Sequence, residues 1–326
     1  MSFDFCGIGN ACIDIVARVD EAFLDRWKLT KSICTYLPLE RADAMEAALP
    51  APDYIPGGCG ANTAAVISAL GGKSAFIGRV AADRIGEMFL RDMAARNIHH
   101  TGKPDTNPGA GSTRIFALIT PDTERSFAAY YGVQENLSEE DVDGAIVSQS
   151  SFMYLDGYAL NSRRGIEAFL KAAEISKKAG NIVVFSPSDL SILQKYPQAV
   201  ESLCRVSDMA LCNQQEAQFM TGTDNLPDSL NALRSMFKSG AVTAGADGAY
   251  VFDNVGIRQV PAATPPGPVF DTNGAGDAFA GGLIFGLASG YDIEKAARLG
   301  NRCAAGIITH TGARPVHDCT TYLADL

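Results

Sequence analysis

The chain has no Cys-x-x-Cys pair, no Gly-x-x-x-x-Gly-Lys-Ser/Thr run and no cluster of basic residues. Histidine is scarce, with four in 326 residues, and tryptophan occurs once. No apolar stretch approaches the roughly 20 residues that span a bilayer. Each absence removes a class of protein. Without the lysine-bearing glycine loop a P-loop enzyme is not expected. Gly7-Ile8-Gly9 lacks the third glycine of a dinucleotide fingerprint. With 27 basic against 37 acidic residues the net charge is −10, so nucleic acid and membrane surfaces are not expected as partners. The four histidines have no ligand spacing, His99 and His100 being adjacent, and are expected at the surface or in packing. The eight cysteines are scattered, which favours reduced thiols in a cytoplasmic protein over disulfides or a zinc site. The N-terminus has no basic start followed by a long apolar run, so no secretory signal is expected.

What is present is a globular composition, 47% hydrophobic with 32 glycines. Short apolar runs alternate with amphipathic ones. Phe3–Ile8, Ser74–Val80, Phe152–Leu155, Ile182–Phe185, Met209–Cys212 and Ala241–Ala244 are predicted strands. The helical pattern falls within 56–72 and over Ile85–Arg96, Arg164–Lys178 and Ser229–Lys238. That alternation predicts an α/β fold with a mainly parallel sheet covered on both faces. Two stretches, about 15–40 and 110–132, break the rhythm, and the second reads as a β-hairpin around Pro121-Asp122. Both are expected to leave the main sheet and pair as a small β lid. With no repeat and no low-complexity linker, residues 1–326 read as one domain.

Residues 271–277, Asp-Thr-Asn-Gly-Ala-Gly-Asp, run straight into an apolar helical pattern. Gly274, Ala275 and Gly276 leave backbone N–H groups open at a helix N-terminus, a place that receives oxyanions. Asp277 beside such a pocket repels a phosphate, which makes sense if it takes a proton from an attacking hydroxyl. A plain helix cap explains it equally well. Four further sites follow turns or strand ends. Asp14, after Gly9-Asn10, is placed to accept from paired hydroxyls, or to cap a loop. Gly57 and Gly58 allow close backbone approach, and Asn62 offers donor and acceptor, or caps its helix. Asn213 and Glu216 share one face of a helical turn and can hold water around Mg²⁺, though such quartets are more often surface polarity. Thr243, Gly245 and Gly248 leave room for a nucleotide, or make an ordinary turn.

Taken together, Gly-Gly-x-x-x-Asn with a following Leu-Gly (57–71), Asn-x-x-Glu (213–216) and Asp-Thr-x-Gly-Ala-Gly-Asp (271–277) resemble the ribokinase, or PfkB, family of small-molecule kinases. Gly9-Asn10 with Asp14-Ile15-Val16, Gly78 to Asp83 with Gly86, Glu124-Arg125-Ser126, Gly157-Tyr158 and Thr311-Gly312-Ala313-Arg314-Pro315 resemble the bacterial adenosine kinases within it. The resemblance implies a ribokinase-like three-layer α/β/α core with a β lid. It implies ATP, Mg²⁺ and a K⁺ loop as cofactors, and a nucleoside or sugar as substrate. Asp277 would be the base, and the Gly274–Asp277 amides would hold the transferring phosphoryl group. Asp14, Gly57, Gly58 and Asn62 would bind the substrate hydroxyls. Asn213 and Glu216 would organise Mg²⁺ through water. Thr243, Gly245, Gly248 and Asn301 would border the nucleotide. Asp271 and Thr272 would lie by the phosphates and the cation loop, and Arg125 would swing to the γ-phosphate on closure. Asn273 and Ala244 depart from the family, which often has Thr or a larger residue there.

The expected activity is phosphorylation of the 5′-OH of adenosine. Ile33, Leu37, Phe116 and Phe127 in the lid segments are the apolar groups expected to favour a base over a free sugar. The alternatives are a ribose or fructose kinase, or a non-catalytic nucleotide sensor. The implied assembly is a monomer or a homodimer.

Overall fold

The computed structural model describes residues 2–107, 109–324 and 326. Strands β1 (Phe3–Ile8), β2 (Cys12–Arg18), β3 (Cys34–Tyr36), β4 (Asp53–Gly57), β5 (Ser74–Ile77) and β6 (His99–Thr101) come first. They are followed by β7 (Thr113–Ile119), β8 (Arg125–Tyr130), β9 (Ser150–Asp156), β10 (Ile182–Ser186) and β11 (Met209–Asn213). The last are β12 (Ser239–Thr243), β13 (Ala249–Phe252) and β14 (Ile257–Val260). The α-helices begin with α1 (Glu21–Trp27), α2 (Leu39–Ala48), α3 (Cys59–Ala69), α4 (Arg84–Ala95), α5 (Gly144–Ser148) and α6 (Gly165–Lys178). They continue with α7 (Leu190–Lys195), α8 (Pro197–Val206), α9 (Gln214–Thr221), α10 (Leu226–Met236), α11 (Ala275–Ala288) and α12 (Ile293–Ile307).

The main sheet runs β14-β13-β12-β11-β10-β9-β1-β5-β6. It is parallel from β6 to β12 and ends in the antiparallel β12-β13-β14 edge. Strand alternation divides its apolar residues between two layers. Phe152, Tyr154, Val184 and Leu211 pack with α3 and α11, while Met153, Leu155, Val183 and Phe185 pack with α6 and α8. Burial on both faces is why these strands read as unbroken apolar runs. The result is the expected three-layer core. From β1 the sheet order departs to β5 on one side and β9 on the other. The crevice beyond their C-terminal ends is where open α/β sheets bind ligands.

The second sheet has the order β3-β8-β7-β2-β4. Its β7-β8 hairpin is the one expected around Pro121-Asp122, with Arg114 opposite Tyr130 and Ile119 opposite Arg125. Between β2 and β3 the chain forms a helix that the alternating pattern hid. Asp20 caps it by accepting from Phe23 N at 2.8 Å, and Lys28 ends it in a left-handed conformation. On one face of this sheet Ile13, Ile15, Phe116 and Leu118 pack with Phe89 and Met93 of α4. The other face carries Asp14, Ile55 and Ile115, which share one register line, and is more open.

Candidate active site

Helix α11 starts at Gly274, which has φ 77° and no side-chain cap. A Cβ there would lie 2.3 Å from that of Ala313, so left-handed backbone and close packing both require glycine. Gly276 in the first turn faces open space. Helix geometry leaves the first amides of such a turn without intrahelical partners, and the open space at Gly276 leaves room for an anion to approach them. Asp277 sits one residue further on. Its carboxylate accepts from Asn62 Nδ2 at 2.9 Å and from the Cys59 thiol, and its carbonyl accepts from Thr63 Oγ1 at 3.3 Å. All three donors come from α3. Asp277 is therefore held by another helix rather than capping its own.

The substrate side begins at the Gly57-Gly58 turn. Gly58 has φ 92°, and a Cβ on it would lie 2.1 Å from the Asn10 carbonyl, so the β1–β2 turn and the start of α3 are pressed together. A Cβ on Gly57 would lie 2.8 Å from Asp14 Oδ2. Asp14, Gly57, Gly58, Asn62 and Asp277 thus form one cluster. Burial raises the Asp14 carboxyl to about 7, against the lowering effect of the Arg314 cation. Asp277 is half-buried, open to the cleft and enclosed elsewhere. Burial raises it to about 7; the Asn62 and Cys59 hydrogen bonds lower it, and the Asp156 and Asp14 charges raise it.

Asp156, at the end of β9, is a residue that the sequence reading passed over. It is fully buried and accepts from Gly60 N at 3.1 Å, Tyr158 N at 3.1 Å, Ser188 Oγ at 2.8 Å and the Asn10 amide. An uncompensated buried carboxylate would cost several kcal/mol; these donors make it a knot tying three strand ends together. The signal was a polar residue closing an apolar strand, as at Asn213. The Cys59 thiol and Arg314 were missed likewise, since neither shows its partners in sequence.

The nucleotide-side residues form a second group. Thr243 ends β12 beside Asn213 of β11. Gly245 faces open space, whereas a Cβ on Gly248 would lie 2.2 Å from Val260 O. Asn301 donates to Val260 O at 3.1 Å and to Pro261 O at 2.8 Å, so its amide fastens the wall that Gly248 touches. Asn213 and Glu216 bond each other reciprocally: Asn213 Oδ1 accepts from Glu216 N at 2.9 Å, and Glu216 Oε2 accepts from Asn213 N at 2.8 Å. The pair is a capping box, and Glu216, 4% exposed, is not the surface polar residue that the sequence pattern favoured. Its carboxyl is raised by burial to about 7. Arg125 does not point at open cleft; its Nη1 lies 2.9 Å from Asp271 Oδ1, which also accepts from Asn273 N at 3.0 Å. Thr272 is exposed and its carbonyl accepts from Ala275 N at 3.3 Å.

Of the four apolar residues expected to meet a base, Leu37 and Phe116 are buried in the core behind the second sheet. Ile33 is 56% exposed. Phe127 is half-buried on the open face, level with Cys34 and Ala117. Aromatic surface comes instead from tyrosines. Tyr131 stacks on Tyr36 with centroids 5.6 Å apart, and its hydroxyl accepts from Asn161 Nδ2 at 3.1 Å. Tyr158 is held by burial among Cys59, Asp189, Asp156 and Tyr131.

A cavity of about 780 Å³ lies elsewhere, on the far face of the second sheet beside Tyr54 and Arg114. Its charged groups are already engaged: Arg114 bonds Asp43 at 2.7 Å and Glu46 at 2.8 Å, Arg84 also bonds Glu46, Asp105 bonds Arg79 at 2.8 Å, and Asp83 accepts from Gly86 N at 2.7 Å and Ser112 N at 2.8 Å. It holds no group poised for chemistry.

A glycine turn opening a helix, a carboxylate raised toward neutrality and a second raised carboxylate beside it, on one α/β sheet edge, suit a phosphotransferase with an alcohol group as acceptor. The chain belongs to the PfkB family of carbohydrate kinases, whose model matches residues 16–319. It is 33% identical to the adenosine kinase of Sinorhizobium meliloti, with a TM-score of 0.90 over 99% of both chains. It is 30% identical to the aminoimidazole riboside kinase of Salmonella typhimurium over 79% of this chain and 83% of that one. It is also 29% identical to a probable chloroplastic fructokinase-6 of Arabidopsis thaliana, over 82% of this chain and 73% of the relative. It is accordingly an ATP-using kinase of a sugar or a nucleoside. Among the described residues no helix is long and apolar enough to cross a membrane.

Proposed function

We propose that the protein transfers the γ-phosphoryl group of ATP to the 5′-OH of adenosine, giving AMP and ADP. The observation that carries this reading is the tyrosine wall. Tyr36, Tyr131 and Tyr158 lie beside the Asp14–Asp277 cluster, and a purine needs flat apolar surface where a hexose needs further polar groups. The likeness to an adenosine kinase over 99% of the chain supports it. In this reading Asp14 accepts hydrogen bonds from the ribose hydroxyls, with Gly57, Gly58 and Asn62 shaping their bed. Asp277 takes the proton of the 5′-OH as its oxygen attacks phosphorus and the bond to the β-phosphate oxygen breaks. The Gly274–Gly276 amides receive the equatorial oxygens, and positioning and charge neutralisation supply most of the rate.

Thr243, Gly245 and Gly248 flank the nucleotide, with Asn301 holding the wall behind. Bound Mg²⁺ would neutralise phosphate charge. Asn213 and Glu216 suit it, since one buried carboxylate and its capping partner are enough for an ion that keeps most of its waters. The 271–274 loop, with Asp271 and Thr272, is the proposed K⁺ and phosphate edge. The second sheet acts as the lid, and Arg125 leaves Asp271 for the γ-phosphate when it closes, excluding water from the reacting hydroxyl.

The fructokinase relative favours a second reading, a ketose kinase with the same base and anion pocket. An ADP-release screen over adenosine, aminoimidazole riboside, ribose and fructose, with and without K⁺, decides between them. Turnover is expected to be greatest on adenosine. Strong turnover on fructose with none on adenosine would reject the nucleoside reading.

The raised carboxyl also sets a pH dependence. Asp277 acts as base only when ionised, so kcat/KM is expected to fall about tenfold per pH unit below an apparent midpoint near 7 and to level off above it. Because Asp14 and Asp156 couple to Asp277, the midpoint belongs to the cluster. A profile flat down to pH 5.5 would remove Asp277 as the titrating base.

A further inference from the structure

Arg314 stands in Thr311–Pro315, a stretch singled out by resemblance and given no role. Its guanidinium is 4% exposed, lies over the Phe89 ring and is committed on every side. Nε donates to Asn62 Oδ1 at 3.1 Å, Nη2 donates to the Gly57 carbonyl at 2.7 Å, and Nη1 meets the Asp92 carboxylate. Asp92 also bonds Arg96 at 3.0 Å, so the buried cation is neutralised from α4.

Two of these three bonds end on the reacting cluster. A side-chain amide has one accepting and one donating end, and a guanidinium can bond only the accepting end. With Arg314 on Oδ1, the Asn62 nitrogen is turned to Asp277, to which it donates at 2.9 Å. The Gly57 carbonyl is the other target, and Gly57 packs directly on Asp14. One planar fork thus reaches both the proposed proton acceptor and the proposed hydroxyl anchor. We propose that Arg314 is a positioning residue that aligns Asp277 and Asp14 by fixing the Asn62 amide and the Gly57 carbonyl. The inference rests on the reading of Asp277 as base.

Packing alone does not require a cation here. Burying one is costly, and apolar side chains replacing a whole buried ion pair, here Arg314 with Asp92, often fill such a space at no loss of stability. Lysine would keep the charge but lacks the rigid fork that serves three partners. Asp277 faces Asn62 and Cys59 from α3, Asp156 from β9 and Asp14 from β2. Losing the oriented Asn62 amide therefore leaves two carboxylates that raise its proton affinity and only the Cys59 thiol to oppose them.

The test follows the carboxyl carbon of Asp277 by ¹³C NMR in aspartate-labelled protein without substrate, with the signal assigned through Asp277→Asn. Arg314→Lys is expected to move its titration midpoint upward by about one pH unit, the scale of one hydrogen bond to an ionised group. Asn62→Ala is expected to move it at least as far, and the double variant no further than Asn62→Ala. An unmoved midpoint in Arg314→Lys would overturn the proposal, as would a full additional shift in the Asn62→Ala background. If Arg314→Lys does not fold, Arg314→Met with Asp92→Asn removes both buried charges together and is expected to give the same shift. Turnover of Asp277→Asn with ATP and adenosine is measured alongside. Near-normal turnover there would reject the base reading, while the titration still judges Arg314.

Discussion

Asp277→Asn is expected to lower turnover by about 10²–10⁴-fold, the range contributed by a positioned general base, while leaving ATP affinity equal or better. The two halves of that expectation have separate causes. The proposed anion pocket consists of main-chain amides at Gly274–Gly276, which the substitution does not touch. Removing a carboxylate beside it takes away a repulsion toward phosphate. What is lost is the acceptor for the hydroxyl proton, and asparagine keeps the shape, so Asn62 still finds an oxygen. Stability provides an independent readout with a definite sign. The Asp277 carboxyl is raised in the folded state, from 3.8 to about 7. Its contribution to stability is therefore fully present below pH 4 and is lost as pH rises through about 7. Asparagine cannot ionise, so the variant is expected to melt at the same temperature as the parent near pH 4 and a few degrees higher at pH 8. Near-normal turnover together with equal melting at both pH values would leave Asp277 as a packing group that joins α11 to α3.

The parts of this site that the sequence displayed are those whose chemistry is local. The glycine turn into α11 and the Gly57-Gly58 turn are written in consecutive residues, because left-handed backbone and a close approach need glycine at that position and no other. The parallel core is equally open to reading, since strands buried on both faces must be apolar throughout. What stayed hidden depends on neighbours distant in the chain. Phe116 and Ala117 alternate on one strand, and only the register of β7 against β2 and β8 says that Phe116 enters the core while Ala117 faces the cleft. Tyr36 and Tyr131 meet because β3 lies beside β8, a pairing that neither segment announces. Asn213 and Glu216 look like a metal pair or surface polarity in sequence; the reciprocal bonds reveal a cap, and they leave the metal role to experiment. Arg314 lies 252 positions from Asn62, and no periodicity links them.

Asp14→Asn is expected to raise the KM for the acceptor by about 10²-fold with a smaller change in kcat, because a carboxylate that accepts from two hydroxyls loses a charge-assisted bond worth about 1.5–3 kcal/mol. The argument turns on which interactions differ between ground and transition states. In the proposed reading Asp14 touches hydroxyls that do not react, so its bonds are made on binding and persist through transfer, and their loss is uniform. Asp277 touches the hydroxyl that does react, and its loss falls on kcat. The two carboxyls are both raised to about 7 by burial, yet the Arg314 cation pulls Asp14 down while Asp156 pushes Asp277 up. The two therefore titrate as a coupled pair, and it is the hydroxyl each one would touch that separates their roles. 2′-Deoxyadenosine supplies the matching change on the substrate. It is expected to be a poor acceptor for the parent enzyme, and Asp14→Asn is expected to erase most of the difference between the two nucleosides. If discrimination persists undiminished in the variant, the hydroxyl anchor lies elsewhere, and Asp14 is a strand residue whose burial beside Gly57 serves packing alone.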